Sequence, residues 1–227
     1  MEVSRNDKPK KNFLKKIRNL TKKKKIILIF DECTSGFRET FGGLHLKYQV
    51  NPDIAHFGKA LGNGYAINAI IGKEDVMKHA NESFISSTFW TEKTGSVAAL
   101  KTLELMEKLQ SWKIITKTGK YIKNKWFQLS KKYKIPINIS GLDALPLFTF
   151  KSKYNLYLKT FISQEMLKKG FLASNTIYVS TSHKRKIIDR YFENLEQIFE
   201  FISNFEESDI EKKLLDGPVC ISGLRQK

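Results

Sequence analysis

Apolar residues recur along this chain in two periods, one helical and one extended. Phe13, Leu14, Ile17 and Leu20 share a helical face, which predicts an amphipathic helix over residues 11–23 with Lys22 to Lys25 as its basic exit. The apolar run Ile26 to Phe30 then predicts a strand that ends in Asp31-Glu32. A second short strand is expected from Asp53 to Phe57, closed by Gly58-Lys59, with a turn at Gly62-Asn63-Gly64. Ile67 to Ile71 is a third, and its bulk predicts a sheet covered on both faces. Residues 72–83 read as a short helix with a polar face. From Lys93 the pattern is helical for roughly forty residues, with Ile115, Ile122, Trp126, Leu129 and Tyr133 on one stripe and Gly119 as the expected break or kink. After residue 134 the chain reads as α+β. Strand patterns cover 136–139, 147–150 and Thr176 to Ser180, a helix runs from Phe161 to Lys169 and stops at Gly170, and a last amphipathic helix carries Ile188, Tyr191, Phe192, Leu195, Phe199 and Ile202.

With 227 residues and 41% hydrophobic content the chain can bury a real core, in one or two domains. No apolar run approaches the length of a membrane span, and residues 1–20 lack the apolar core of a signal peptide. Two cysteines, Cys33 and Cys220, do not make a disulfide framework, so a reducing, cytoplasmic setting is expected. The net charge of +17 is concentrated at the start: residues 1–25 hold eleven Lys/Arg and two acids. Such a balance can serve nucleic acid or an anionic membrane. Here the excess is mostly lysine spread along helices, without the motif of a nucleic-acid module. It reads as a solvated surface with some affinity for anions, and neither a specific nucleic acid nor a membrane is expected as partner.

The candidate chemistry lies between Ile26 and Lys59. A carboxylate ending a buried strand is costly unless it meets a cation, and Asp31 is in that position. Lys59 follows Gly58 in the Gly-rich stretch Gly58 to Gly64, where a ligand can approach the backbone closely. A buried Asp and a Lys on neighbouring strand ends are what a pyridoxal 5'-phosphate enzyme needs: the lysine amine joins the cofactor aldehyde, and the carboxylate pairs with the ring nitrogen. His45 and His56 have no metal-ligand partner at useful spacing and read as structural. There is no internal repeat, nucleotide-binding glycine fingerprint or placeable Ser-His-Asp set.

LIFDECTSGFR followed by NPDIAHFGKALGNGYAINAIIG resembles the core of class III aminotransferases of fold-type I, and is similar above all to their glutamate-1-semialdehyde 2,1-aminomutase-like branch. The shared order is apolar strand, Asp-Glu, Gly-Phe-Arg turn, Pro-Asp, then Gly-Lys and a Gly-rich segment. The resemblance implies an α/β chain: the C-terminal part of the cofactor-binding large domain over residues 1–112, then a connecting helix and small α+β domain over 113–227. It implies that Lys59 and Asp31 are catalytic and cofactor-binding, that Cys33 packs on the cofactor ring from the same strand face as Asp31, and that Thr34 lies near the ring hydroxyl. It places Thr88, within Ser86 to Glu92, on the cofactor phosphate of a neighbouring subunit; the same Ser/Thr cluster also suits a helix N-cap. The expected activity is amino transfer between small amino and oxo compounds. An aminomutase, or a non-catalytic remnant or subunit of a split enzyme, stands as the alternative. The resemblance covers about the C-terminal half of a family member, so a homodimer or a complement with an N-terminal half is the expected assembly.

Overall fold

The computed structural model describes residues 9–85, 88, 91–204 and 214–221. Its elements are α1 (Phe13–Lys23), β1 (Ile29–Asp31), α2 (His45–Tyr48), β2 (Ile54–Phe57), β3 (Ala69–Gly72), α3 (Glu74–Met77), α4 (Thr94–Leu109), α5 (Ser111–Lys132), β4 (Ile137–Leu142), β5 (Leu145–Phe150), α6 (Asn155–Lys168) and α7 (Arg185–Ser203). They divide into two compact units, Met1–Thr116 and Lys117–Lys227.

In the first unit β2 is central, parallel to β1 and antiparallel to β3. One face of this sheet carries Ala55 and Phe57 against Leu61 and Ala99, with Phe37, Ile67, Ala69 and Leu103 packed around them. Burying a side chain such as Phe57 is worth roughly 1.5–3 kcal/mol, so this cluster holds the sheet against α4. The other face does not match the expected two-sided cover. Ile29 is 58% exposed and Ile70 60% exposed, because within the described residues a three-stranded sheet has α4 on one side only. The short helix expected over 72–83 is divided: α3 has four residues and passes into a 3-10 turn over Lys78–Glu82.

Asp53, in the Pro-Asp pair before β2, clamps this unit. Its carboxylate accepts from the Leu28 backbone N–H at 2.9 Å, from Arg18 Nη1 of α1 at 2.8 Å and lies 2.7 Å from Lys73 Nζ. Burial alone pushes its carboxyl up. The Leu28 N–H and the two cations outweigh that and hold it well below the usual carboxylate range.

The helical stretch after Lys93 is two helices, and the break is at Gln110, which adopts a left-handed conformation at φ 48°. Gly119 neither breaks nor kinks the chain. It sits inside α5, where a Cβ would come within 1.5 Å of the Asp143 carbonyl oxygen. Its lack of a side chain lets the turn between β4 and β5 press onto the helix backbone.

The second unit is the antiparallel β4–β5 hairpin with α5, α6 and α7 around it. Helix α6 starts at Asn155, ahead of the expected Phe161, and Gly170 follows it at φ 81°. Thr176 to Ser180 is not a full strand. It makes one bridge, Leu147 to Thr176, and two further backbone bonds from Ile177 and Val179 to Pro146 and Ala144. All six apolar residues expected on the last helix are buried in α7. Trp126, Phe148, Ile162, Met166, Leu195 and Phe199 form a closed core, and the Trp126 indole N–H donates to the Tyr191 hydroxyl at 3.1 Å.

Candidate active site

Parallel pairing sets the site. Ile29, Phe30 and Asp31 lie opposite Ile54, Ala55 and His56, so β1 and β2 end side by side at their carboxyl ends. In open α/β sheets that end is where ligands bind. Asp31 closes β1 there, and Gly58-Lys59 follows β2 there. Phe57 and Leu61, both buried, anchor the backbone on either side of Lys59.

The turn after β1 is built on Glu32, which is fully buried. Its carboxylate accepts from the Ser35 hydroxyl and from the His45 backbone N–H at 2.9 Å, and it faces His45 Nδ1 at 3.1 Å. Gly36 completes the turn. A Cβ there would meet the Phe57 ring at 2.6 Å and the Glu32 carbonyl at 2.8 Å, so only glycine lets the turn lie on β2. This packing delivers Thr34, itself buried, to the lysine: Lys59 Nζ donates to Thr34 Oγ1 at 2.5 Å. Lys59 adopts φ 43°, as Gln49 and Asn63 do at nearby turns, so the left-handed backbone belongs to the turn rather than to the amine.

Asp31 departs from expectation. Its side chain is 49% exposed rather than buried, because the open face of the sheet is the face it occupies. The Cys33 backbone N–H donates to its Oδ1 at 2.9 Å, and His56 Nδ1 lies 3.4 Å from the same oxygen. Cys33 is corrected as well. Strand β1 ends at Asp31 and Cys33 lies in the turn, so alternation along a strand does not decide where it points. The geometry still brings it to the site: a Cβ on Gly58 would meet Cys33 Sγ at 2.8 Å and Asn68 Oδ1 at 2.4 Å.

The structure thus brings Asp31, Cys33, Thr34 and Lys59 together. Thr88 is exposed, while Ser86, Ser87, Phe89 and Trp90 of its cluster lie outside the described residues. Two residues at this place escaped the sequence reading. His56 looked structural because its pairing with Asp31 is visible only in strand register. Glu32 drew no separate expectation because its burial depends on a loop that returns thirteen residues later.

The residues present fit pyridoxal 5'-phosphate. An amine and a carboxylate stand at adjacent strand ends, and the glycine between β2 and Lys59 has no room for a side chain. Among the described residues, no group of three or more His, Cys, Asp or Glu could hold a metal ion, and no helix is long and apolar enough to cross a membrane.

The family model described as "Aminotransferase class-III" matches residues 7–202. Among curated proteins, 3-aminobutyryl-CoA aminotransferase of Cloacimonas acidaminovorans is 38% identical over 153 residues, 66% of this chain and 37% of that one. Glutamate-1-semialdehyde 2,1-aminomutase of Wigglesworthia glossinidia brevipalpis is 29% identical over 214 residues, 86% of this chain and 49% of that one. Among solved structures, the FumI protein of Sphingopyxis sp. MTA144 superposes with a TM-score of 0.78 at 18% identity, covering 89% of this chain and 50% of that one. An omega-transaminase from Sphaerobacter thermophilus gives 0.73 at 18% identity, covering 83% and 47%. These likenesses show the fold. This chain spans about half the length, or less, of the relatives it matches.

Proposed function

This chain belongs to the class III aminotransferase family, whose members depend on pyridoxal 5'-phosphate, and we propose that it supplies the lysine–aspartate part of an amino-transfer site. The observation that carries this reading is the placement of Lys59 and Asp31 at adjacent carboxyl ends of β1 and β2, with Thr34 on the lysine amine.

Bound there, the cofactor would supply an aldehyde that captures amines and a ring that withdraws electrons. Lys59 holds it through its amine. With its amine not engaged in holding the cofactor, Lys59 would take the proton from the substrate Cα and return one, as general base and acid. The Thr34 hydroxyl orients that amine. Asp31 keeps a proton on the ring nitrogen, which is the state that withdraws electrons best. Cys33 packs beside the ring, Thr34 also serves its hydroxyl, and Thr88 serves a phosphate across a dimer.

The substrates on this reading are a small-molecule amino donor and an oxo acceptor. An aminomutase acting on one substrate is the second reading, favoured by the longer match to the aminomutase relative, 86% of this chain against 66%. The proposed assembly is a homodimer, or this chain with a complementary N-terminal half; the chain spans 49% of the aminomutase relative. Cytoplasm is the proposed compartment, supported by the free Cys33 and Cys220 thiols.

Borohydride reduction of the protein with pyridoxal 5'-phosphate, followed by peptide mapping, tests the central assignment. The pyridoxyl label is expected on Lys59 and lost from that peptide in Lys59→Ala. Label scattered over surface lysines, with none concentrated on Lys59, overturns it.

A further inference from the structure

His56 has no part in the mechanism above, yet it is the side chain that strand pairing sets beside Asp31. Register partners leave a sheet on the same face, and Asp31 is paired with His56. On its other side His56 is paired with Ile70 of β3, which is apolar. The charged group that faces the imidazole from its neighbouring strands is therefore the Asp31 carboxylate. His56 Nδ1 lies 3.4 Å from Asp31 Oδ1, an ion-pair distance longer than the usual N–H···O hydrogen bond, so the carboxylate charge carries the attraction in this arrangement and a small rotation of the imidazole would close the bond. That same oxygen accepts the Cys33 N–H at 2.9 Å from the turn. A half-exposed aspartate with no such contacts samples several rotamers and must give up that freedom on binding. Contacts to Oδ1 from a backbone amide and from a neighbouring strand restrict it beforehand.

We propose that His56 is a positioning residue for Asp31, holding its carboxylate through Nδ1–H so that the group meant for the cofactor ring nitrogen is oriented before the cofactor arrives. This rests on the reading of Asp31 as the ring-nitrogen partner. It commits His56 to one tautomer, because a neutral imidazole that donates through Nδ1 has its hydrogen there rather than on Nε2, the site free imidazole prefers.

Nitrogen-15 NMR of the histidine-labelled chain, at about pH 8.5 where ordinary imidazoles are neutral, reads that tautomer directly. The expected result is a majority Nδ1–H form for His56 that falls at least about twofold in Asp31→Asn, the loss of a modest charge-assisted bond. A majority Nε2–H form in the parent chain, or a tautomer unmoved by Asp31→Asn, overturns the proposal. A second arm uses ring-15N pyridoxal 5'-phosphate bound to the chain. His56→Asn, which can place an amide N–H near the Nδ1 position, should keep the protonated ring-nitrogen shift, and His56→Leu should move it toward that of neutral pyridine. If Asp31→Asn moves the shift and His56→Leu does not, the His56 proposal falls and the Asp31 reading stands. If Asp31→Asn leaves the shift unchanged, the Asp31 reading falls, while the tautomer measurement still decides whether His56 holds the carboxylate.

Discussion

Three acidic residues within one short region do three different jobs, and their surroundings separate them. Asp31 is half exposed and available to a ligand. Glu32, next to it, is fully buried and ties down the turn that carries Thr34. Asp53 is buried under Arg18 and Lys73 and joins α1 to the sheet. Asp53 also gives a pH dependence with a definite sign. Its folded carboxyl is held below its unfolded range, so its contribution is complete above the unfolded value and is lost as pH falls through the folded one. Asp53→Asn keeps the shape and loses the charge. It should cost about 1–3 kcal/mol near neutrality, in line with hydrogen bonds to charged groups. The gap between variant and parent should narrow as pH falls below about 4, where unfolded carboxylates take up protons. Urea unfolding at several pH values checks this; a gap that stays constant into acid would assign the clamp to something other than the charge. At this scale the motif made the joint placement of Lys59, Asp31 and Thr34 at neighbouring strand ends legible, because their order is local in sequence. The exposure of Asp31 and the contact with His56 were not legible, because both depend on which strands lie beside β1.

Elements with a long apolar stripe were legible for a clear reason: α1, α5 and α7 each keep one period over three or more turns, and period is a local property. Their ends were less so. The break between α4 and α5 falls on a glutamine in the left-handed region, and no residue type announces it. Gly119 is the opposite case. Its composition signalled a breaker, while its role is contact between α5 and the turn at Asp143. That distinction is measurable. In an ordinary exposed helix Gly→Ala stabilises by about 1 kcal/mol. At Gly119 the new methyl would meet backbone atoms that cannot rotate away, so Gly119→Ala should destabilise the second unit by about 1–3 kcal/mol, the usual cost of overpacking. Thermal unfolding followed by circular dichroism gives the sign. A raised midpoint would mean that the turn yields at little cost and that Gly119 is an ordinary helical glycine.

The two units differ in how completely they bury themselves, and this bears on what the chain does alone. The second has a closed core in which Trp126, Phe148, Ile162, Leu195 and Phe199 are shielded from water. The first, which carries the candidate site, leaves Ile29, Ile70 and Ile71 of its sheet and Val97 and Leu100 of α4 largely exposed. Within the described residues β1 is paired on one side only. Unpaired strand edges and open apolar patches favour association with another chain. Relatives about twice as long have room for further elements that could cover these surfaces. Hydrogen exchange followed by mass spectrometry should therefore divide the isolated chain. Amides of α5, β5 and α7 in the second unit should be protected, and those of β1 and β3 should exchange at least about tenfold faster, as expected for strands with little burial. The isolated chain should retain pyridoxal 5'-phosphate weakly and show little or no amino transfer with a panel of amino donors. Co-expression with the N-terminal half of a related aminotransferase should slow exchange in β1 and β3 and raise cofactor retention in the same sample. The two effects are coupled because Asp31 ends β1, so whatever orders that strand orders the carboxylate. Protected β1 amides and robust turnover in the isolated chain would instead show that the site is already complete without a partner half.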